Sequence, residues 1–268
     1  MLWESLTAQQ FPAAIIQSKE TCIIPMGCME KHGEHLPIGT DMIVARNVAR
    51  LAAEIEPAVV FPDYYFTQIH EAKHQPGAVA ISGKLLMELL ENVCDEIARN
   101  GFKKIVFFNY HGGNESFLHF YLQLMLEKQK PYVCYWLRGY CSPEFHAIWD
   151  KLKESKEDGH AGESETSIIQ HLNPELVDME ALPENPGYSL NRLSHLPNIS
   201  TPINWYAAYP DHYAGFGQTA SNEKGKLSVD DLVRYLADNI RLIKEDTKTF
   251  ELYNDFFERV HKPAPPVK

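Results

Sequence analysis

Apolar and polar positions follow two rhythms along the chain. Short runs that are almost wholly apolar, Cys22 to Pro25, Val59 to Phe61, Ile105 to Phe108 and Tyr132 to Trp136, read as strands covered on both faces. Between them the period lengthens to that of a helix. Residues 41–55 align Val44, Val48, Leu51 and Ile55 on one face, and 84–100 align Leu86, Leu89, Leu90, Val93 and Ile97. Residues 114–130 do the same with Phe117, Tyr121, Leu124 and Met125. From 228 to 244 the face is Leu232, Val233, Leu236, Ile240 and Ile243, and the opening Ser228-Val-Asp-Asp231 resembles a capping box. Strands alternating with helices predict an α/β layered domain around a largely parallel sheet. One stretch keeps neither rhythm. Residues 183–226 are rich in Pro, Gly, Asn and aromatics, and Trp205, Tyr206, Tyr209, Tyr213 and Phe216 predict a long loop that packs against something. The ending HKPAPPVK, 261–268, reads as a frayed tail.

Composition narrows the function classes. A chain of 268 residues suits one domain with a full core, expected over 1–268. A net charge of −11 argues against nucleic acid as a partner, because phosphate contacts need clustered Lys and Arg. The five cysteines are odd in number and none is spaced CxxC, so they read as reduced core thiols of a cytoplasmic protein. The start MLWESLTAQQF lacks the basic residues and apolar run of a signal peptide. No apolar run approaches the roughly 20 residues that span a bilayer, so no membrane partner is expected.

The chemistry collects where strands end. The first strand runs into MEKHGEHLPIGTD, 29–41, the third into NYHGGNE, and a third polar cluster, DGHAGESETS, spans 158–167. In open α/β sheets ligands bind beyond the carboxyl ends of strands. Glu30 and His32 are two apart, so an extended backbone points them the same way. Asp41 sits at the start of a helix, where a simple cap is the competing role. His111 is followed by two glycines that permit close backbone approach. The last cluster offers His160, Glu163 and Glu165, with Glu163 open to reading as a solvated first-turn acid. Mixed His and carboxylate donors suit Zn, Mn or Fe ions, and five donors without Cys suit a two-metal hydrolytic site with one bridging carboxylate.

Three blocks, EKHGEHLPIGTD (30–41), HGGN (111–114) and HAGESETS (160–167), with ASNEKGK (220–226) behind them, resemble the creatininase (creatinine amidohydrolase) family in order and spacing. The resemblance spans about residues 1–245 and is strongest over 20–245. It implies a three-layer α/β/α sandwich, a metal-dependent amidohydrolase and a homo-oligomer, commonly a hexamer. By position it makes Glu30, His32, Asp41 and His111 metal ligands, Asp41 the bridge, and His160 a residue at the substrate. One departure stands out. Creatininase itself carries a ligating glutamate two residues after the histidine of the second block, where this chain has Gly113. Glu165 is then the candidate fifth ligand. HGGN is the form of other branches, which resemble an archaeal formamidopyrimidine deformylase and a mycofactocin-maturing peptidase. Creatinine as substrate is accordingly not expected.

The resulting expectation is hydrolysis of a non-peptide C–N bond, in a small cyclic amide or formamide, by a hydroxide bridging two divalent ions, with Zn ahead of Mn or Fe. Glu30, Asp41 and His111 would hold one ion, and His32, Asp41 and Glu165 the other. His160 or Glu163 would pass a proton to the leaving nitrogen. His35, Asn109 and Asn114 would orient ligands. His70 and His74 are candidates to reach the pocket, and His212 a weaker candidate for substrate contact. Three rivals stay open: a binding protein that lost catalysis, a single-metal site, and a peptidase-like member acting on a short peptide. A nucleophilic Cys28 has no evident His–Asp partners.

Overall fold

Alternation along two central strands sorts their side chains into two cores. A computed structural model describes residues 1–262; from 263 on, the stretch expected to fray lies outside the described residues. Strands β1 (Thr21–Met26), β2 (Val59–Val60), β3 (Lys104–Asn109) and β4 (Val133–Arg138) form one parallel sheet in the order β2-β1-β3-β4. Ile23, Val106 and Phe108 face one core, with Val44 and Val48 of helix α2 (Thr40–Ile55), Ile168 and Ile169 of α6 (Glu163–Leu172), and Leu232, Leu236 and Ile240 of α8 (Asn222–Glu245). Cys22, Ile24, Met26, Ile105 and Phe107 face the other, with Leu90, Cys94 and Ile97 of α3 (Gly83–Arg99) and Leu118 and Tyr121 of α4 (Glu115–Leu124). Helices thus cover both faces, which is why the strands are apolar at nearly every position. This is the expected three-layer α/β/α arrangement.

The order of the sheet places the crevice. From β1 the chain crosses through α2 to β2 on one side, then returns through α3 to β3 on the other side of β1. The crossover direction reverses between β1 and β3, and the ends of these two strands flank the resulting cleft.

Some boundaries move. The last long helix starts at Asn222, six residues before Ser228, because Ser221 is its cap: the Ser221 Oγ accepts from the Lys224 N–H at 3.2 Å. Ser228 instead sits inside α8, its hydroxyl donating to the Lys224 carbonyl at 3.1 Å. The helix expected over 114–130 ends at Leu124. Helices α1 (Phe11–Gln17), α5 (Pro143–Leu152) and α9 (Lys248–His261) go beyond the expectation, and the 183–226 stretch holds the short α7 (Asn204–Ala208). All five cysteines are free thiols, three of them buried. Among the described residues no helix is long and apolar enough to cross a membrane.

Candidate metal centre

Each donor reaches the cleft from a different local device. After β1 the chain stays extended, and a bridge between His32 and Leu36 closes the following turn. Glu30 and His32 therefore point together into the cleft, while Lys31 pairs with Glu34 at 2.5 Å. Helix α2 begins at Thr40, so Asp41 lies in its first turn, where the positive helix end favours a carboxylate. The N-cap is Gly39, and the Asp41 carboxylate turns into the cleft instead. His111 follows β3. Glu165 lies in the first turn of α6, and His160 just before it.

Asp41 stands at the middle. Its Oδ1 is 3.2 Å from His32 Nε2 and its Oδ2 3.1 Å from His111 Nδ1. Glu30 Oε1 is 2.8 Å from the same His111 Nδ1, and Glu165 Oε2 is 3.8 Å from His32 Nε2. Two triads that share Asp41 result, one of Glu30, Asp41 and His111, which the Cys28 sulfur joins, and one of His32, Asp41 and Glu165; Glu30, His32 and His160 form a further group, and the ligand atoms of each group lie within 4.8 Å of one another. Glu30, His32 and Asp41 are no more than 1% exposed.

The orientation of the imidazoles is informative. His32 Nδ1 is 3.2 Å from the Glu30 carbonyl oxygen, and His111 Nε2 is 2.9 Å from that of Gln68. A carbonyl only accepts, so those nitrogens carry the proton and the opposite nitrogens face the carboxylates. Glu30 Oε1 is buried and meets only His111 Nδ1, which carries no proton in that tautomer. Lone pairs on nitrogen and oxygen converging in a buried site repel unless a proton or a cation lies between them. Without a cation, protons fill that role. Burial works against charge on both imidazoles, yet Asp41 lifts His32 to about 9 and Glu30 lifts His111 well above its usual range. Burial would raise Glu30 and Asp41, but His111 holds the Glu30 carboxyl well below its usual range and His32 holds that of Asp41 low. A divalent cation between the same atoms would replace these protons and satisfy the orphaned oxygen, and the donor set fits one.

The neighbours are tuned differently. Burial pushes Glu165 up to about 7 against the opposing charge of His32. Burial and then His32 pull His160 down to about 3, so it is neutral. His160 Nε2 donates to the Lys31 carbonyl at 2.7 Å, leaving Nδ1 as an acceptor. The Cys28 thiol donates to Asp41 Oδ2 at 3.3 Å, and burial together with the nearby carboxylates keeps it protonated.

Other candidates lie apart. Glu163 is fully buried, not solvated. Its carboxylate accepts from the Ser155 N–H at 2.7 Å and pairs with Lys224 Nζ at 2.6 Å, outside both triads. The role expected for it in proton transfer therefore has no supporting geometry, since its lone pairs are committed to a tie between α6 and α8. His35 Nε2 bonds Thr166 Oγ1 at 2.8 Å, away from the donors. Asn109 does orient: its Nδ2 donates to the His111 carbonyl at 2.7 Å, and Asn114 Nδ2 donates to Asn109 Oδ1 at 2.9 Å. His70 is exposed, and His74 Nε2 bonds the Pro210 carbonyl at 2.8 Å. His212, ranked low from sequence, is buried with its Nε2 hydrogen-bonded to Glu30 Oε2. No spacing signal marks a contact 182 residues apart.

Gly113 has a steric reason. A Cβ there would press on His111 Nε2 and come within 2.7 Å of Glu71 Oε1. The Glu71 carboxylate, held by Gln68 Nε2 at 2.8 and 3.1 Å, fills the room that glycine leaves. A cavity of about 740 Å³ opens over the centre, lined by Glu30, Glu71, His111, His160, Trp149 and Trp205 among others.

A family model described as creatinine amidohydrolase matches residues 4–240. The chain belongs to the creatininase family. It is 25% identical over 263 residues to creatinine amidohydrolase of Pseudomonas putida, covering 88% of this chain and 94% of that one. It is 29% identical to 3-dehydro-scyllo-inosose hydrolase of Thermotoga maritima, covering 91% and 83%. A mycofactocin precursor peptide peptidase of Mycolicibacterium smegmatis is 31% identical over 58% of this chain and 59% of its own. A crystal structure of creatininase superposes with a TM-score of 0.79 at 24% identity, over 92% of this chain and 98% of that one, which shows the shared creatininase fold. Other creatininase structures of the same fold include a Zn-Zn type mutant and a Mn form. The curated relatives are hydrolases, and this creatininase-family chain is one as well.

Proposed function

We propose that this chain is a metal-dependent amidohydrolase that cleaves a non-peptide C–N bond in a small cyclic amide or formamide. The observation that carries the reading is Asp41, whose two oxygens face one imidazole each in two triads that share it. Glu30, Asp41 and His111 would hold one divalent ion, and His32, Asp41 and Glu165 the second. Zn suits this mixture of imidazole and carboxylate, with Mn or Fe next, and the creatininase structures in Zn-Zn and Mn forms support Zn and Mn alike. Two such ions would polarise an amide carbonyl and lower the pKa of a water between them.

The chain's own residues do the rest. His160 is neutral and lines the cavity; it would take the proton released in the attack and return it to the leaving nitrogen. The Lys31 carbonyl fixes that tautomer. Trp149 and Trp205 wall the cavity and exclude bulk water. Gly113 removes the glutamate that creatininase uses, and Glu71 places a carboxylate beside it, so creatinine is not the substrate we expect. A short peptide is the second reading, favoured by a cavity of about 740 Å³ and by the peptidase relative. One domain, a cytoplasmic location consistent with the free thiols, and a hexamer complete the proposal.

Elemental analysis of protein purified without chelators tests it. About two ions per chain, both lost in Asp41→Ala, supports the shared bridge and justifies a screen of cyclic amides, formamides and short peptides. One ion would replace it with a single-metal site. None would replace it with a binding protein.

A further inference from the structure

Glu30 divides its labour between its two oxygens. Oε1 turns to His111, and Oε2 is gripped by His212. Behind His212 stands Trp205, whose Nε1–H donates to His212 Nδ1 at 2.7 Å. That bond settles the tautomer: Nδ1 accepts, so Nε2 carries the proton and donates to Glu30. His212 has a φ of 54°, in the left-handed region that a non-glycine residue seldom adopts, so the backbone is bent to deliver this ring. The same turn is tied down from the opposite side, where Gln75 Nε2 donates to the Pro210 carbonyl at 2.9 Å. The His160 ring lies between His32 and His212, at centroid distances of 4.2 and 4.3 Å. The aromatic segment thus reaches the donor set through a fixed chain, Trp205 to His212 to Glu30.

We infer that Trp205 and His212 are a positioning pair that couples the closing of residues 183–218 over the cavity to metal binding at Glu30. This rests on the metal reading above. Neither residue touches the reacting atoms. The pair holds Oε2 so that Oε1 faces its cation, in the way that hydrogen bonds behind a ligating carboxylate orient it. Coupling of this kind is reciprocal: if the closed segment raises metal affinity, metal holds the segment closed by the same factor.

Zinc affinity by chelator competition, and protease protection of residues 183–218 with and without zinc, test the inference on wild type, His212→Leu, His212→Gln and Trp205→Phe. We expect His212→Leu to weaken binding at the Glu30 site by about 10- to 100-fold and to lose the zinc-dependent protection. His212→Gln, which keeps a donor toward Glu30, recovers most of both, and Trp205→Phe falls between. Melting of the metal-free proteins shows whether a variant folds; should His212→Leu not fold, Trp205→Phe carries the comparison. Zinc bound equally by wild type and the folded variants, or protection indifferent to zinc, overturns the coupling alone. Wild type that takes up no zinc overturns the metal reading, and the coupling with it.

Discussion

A missing Cβ at residue 113 keeps His111 in place. Gly113→Ala would push a methyl group against His111 Nε2, the nitrogen that donates to Gln68. The expected result is zinc binding weakened about tenfold or more with the metal-free melting temperature little changed, read by zinc titration. Unchanged affinity would mean that His111 has room to spare. His35 carries a pH effect. Burial, and then the charge of His32, pull it down to about 4. A histidine whose pKa falls on folding favours the neutral form, so its contribution is complete above about pH 6.5 and drains away as pH drops toward 4. That contribution is at most about 3 kcal/mol. Urea unfolding should show a shallower stability loss over this window for His35→Gln than for wild type; parallel slopes would refute it. At this scale the sequence was most readable where donors lie close together. Glu30, His32 and Asp41 fall within one short stretch, and all three converge with His111 in the cleft. His212 was singled out only as a weaker candidate and Gln68 not at all, because their contacts depend on how distant segments meet.

Between elements, the tie that matters is Lys224 to Glu163. It joins α8 to α6, with the carboxylate fully buried and the ammonium mostly so. Burial would raise the Glu163 pKa, but Lys224 and the Ser155 amide hold it low. Glu163→Gln leaves the Lys224 ammonium only the exposed Glu154 carboxylate and the Thr219 carbonyl and should cost about 2 kcal/mol of stability by urea unfolding, with metal content unchanged. Loss of metal in this variant would return Glu163 to the centre. The same helix pair shows why a boundary was misread. Residues 183–226 were read as one loop, yet Gly225 lies inside α8 where the backbone crosses α6, and a Cβ there would run into the Ser167 carbonyl. Strands were located to within two residues because burial on both faces left them continuously apolar. Helix α5 carried a legible start, Ser142 before Pro143, and Ser142 does cap it by accepting from the Phe145 N–H at 3.1 Å. Only Phe145 of this helix is buried.

For the molecule as a whole, the donor cluster should act as a staple with a concentration dependence. A ligand bound only by the folded state at 100 times its Kd adds about 2.7 kcal/mol, and at about 2–4 °C per kcal/mol excess zinc should raise the melting temperature by about 5–10 °C. EDTA should reverse the shift, and Asp41→Ala should show none. A shift of equal size in that variant would place the zinc elsewhere. The donors also have an order in the chain. During synthesis the triad of Glu30, Asp41 and His111 is complete once residue 111 has emerged, whereas that of His32, Asp41 and Glu165 waits for residue 165. His212 arrives last of all. A ribosome would therefore release the two halves of the centre in sequence, with the residue that braces Glu30 as the final part to be delivered.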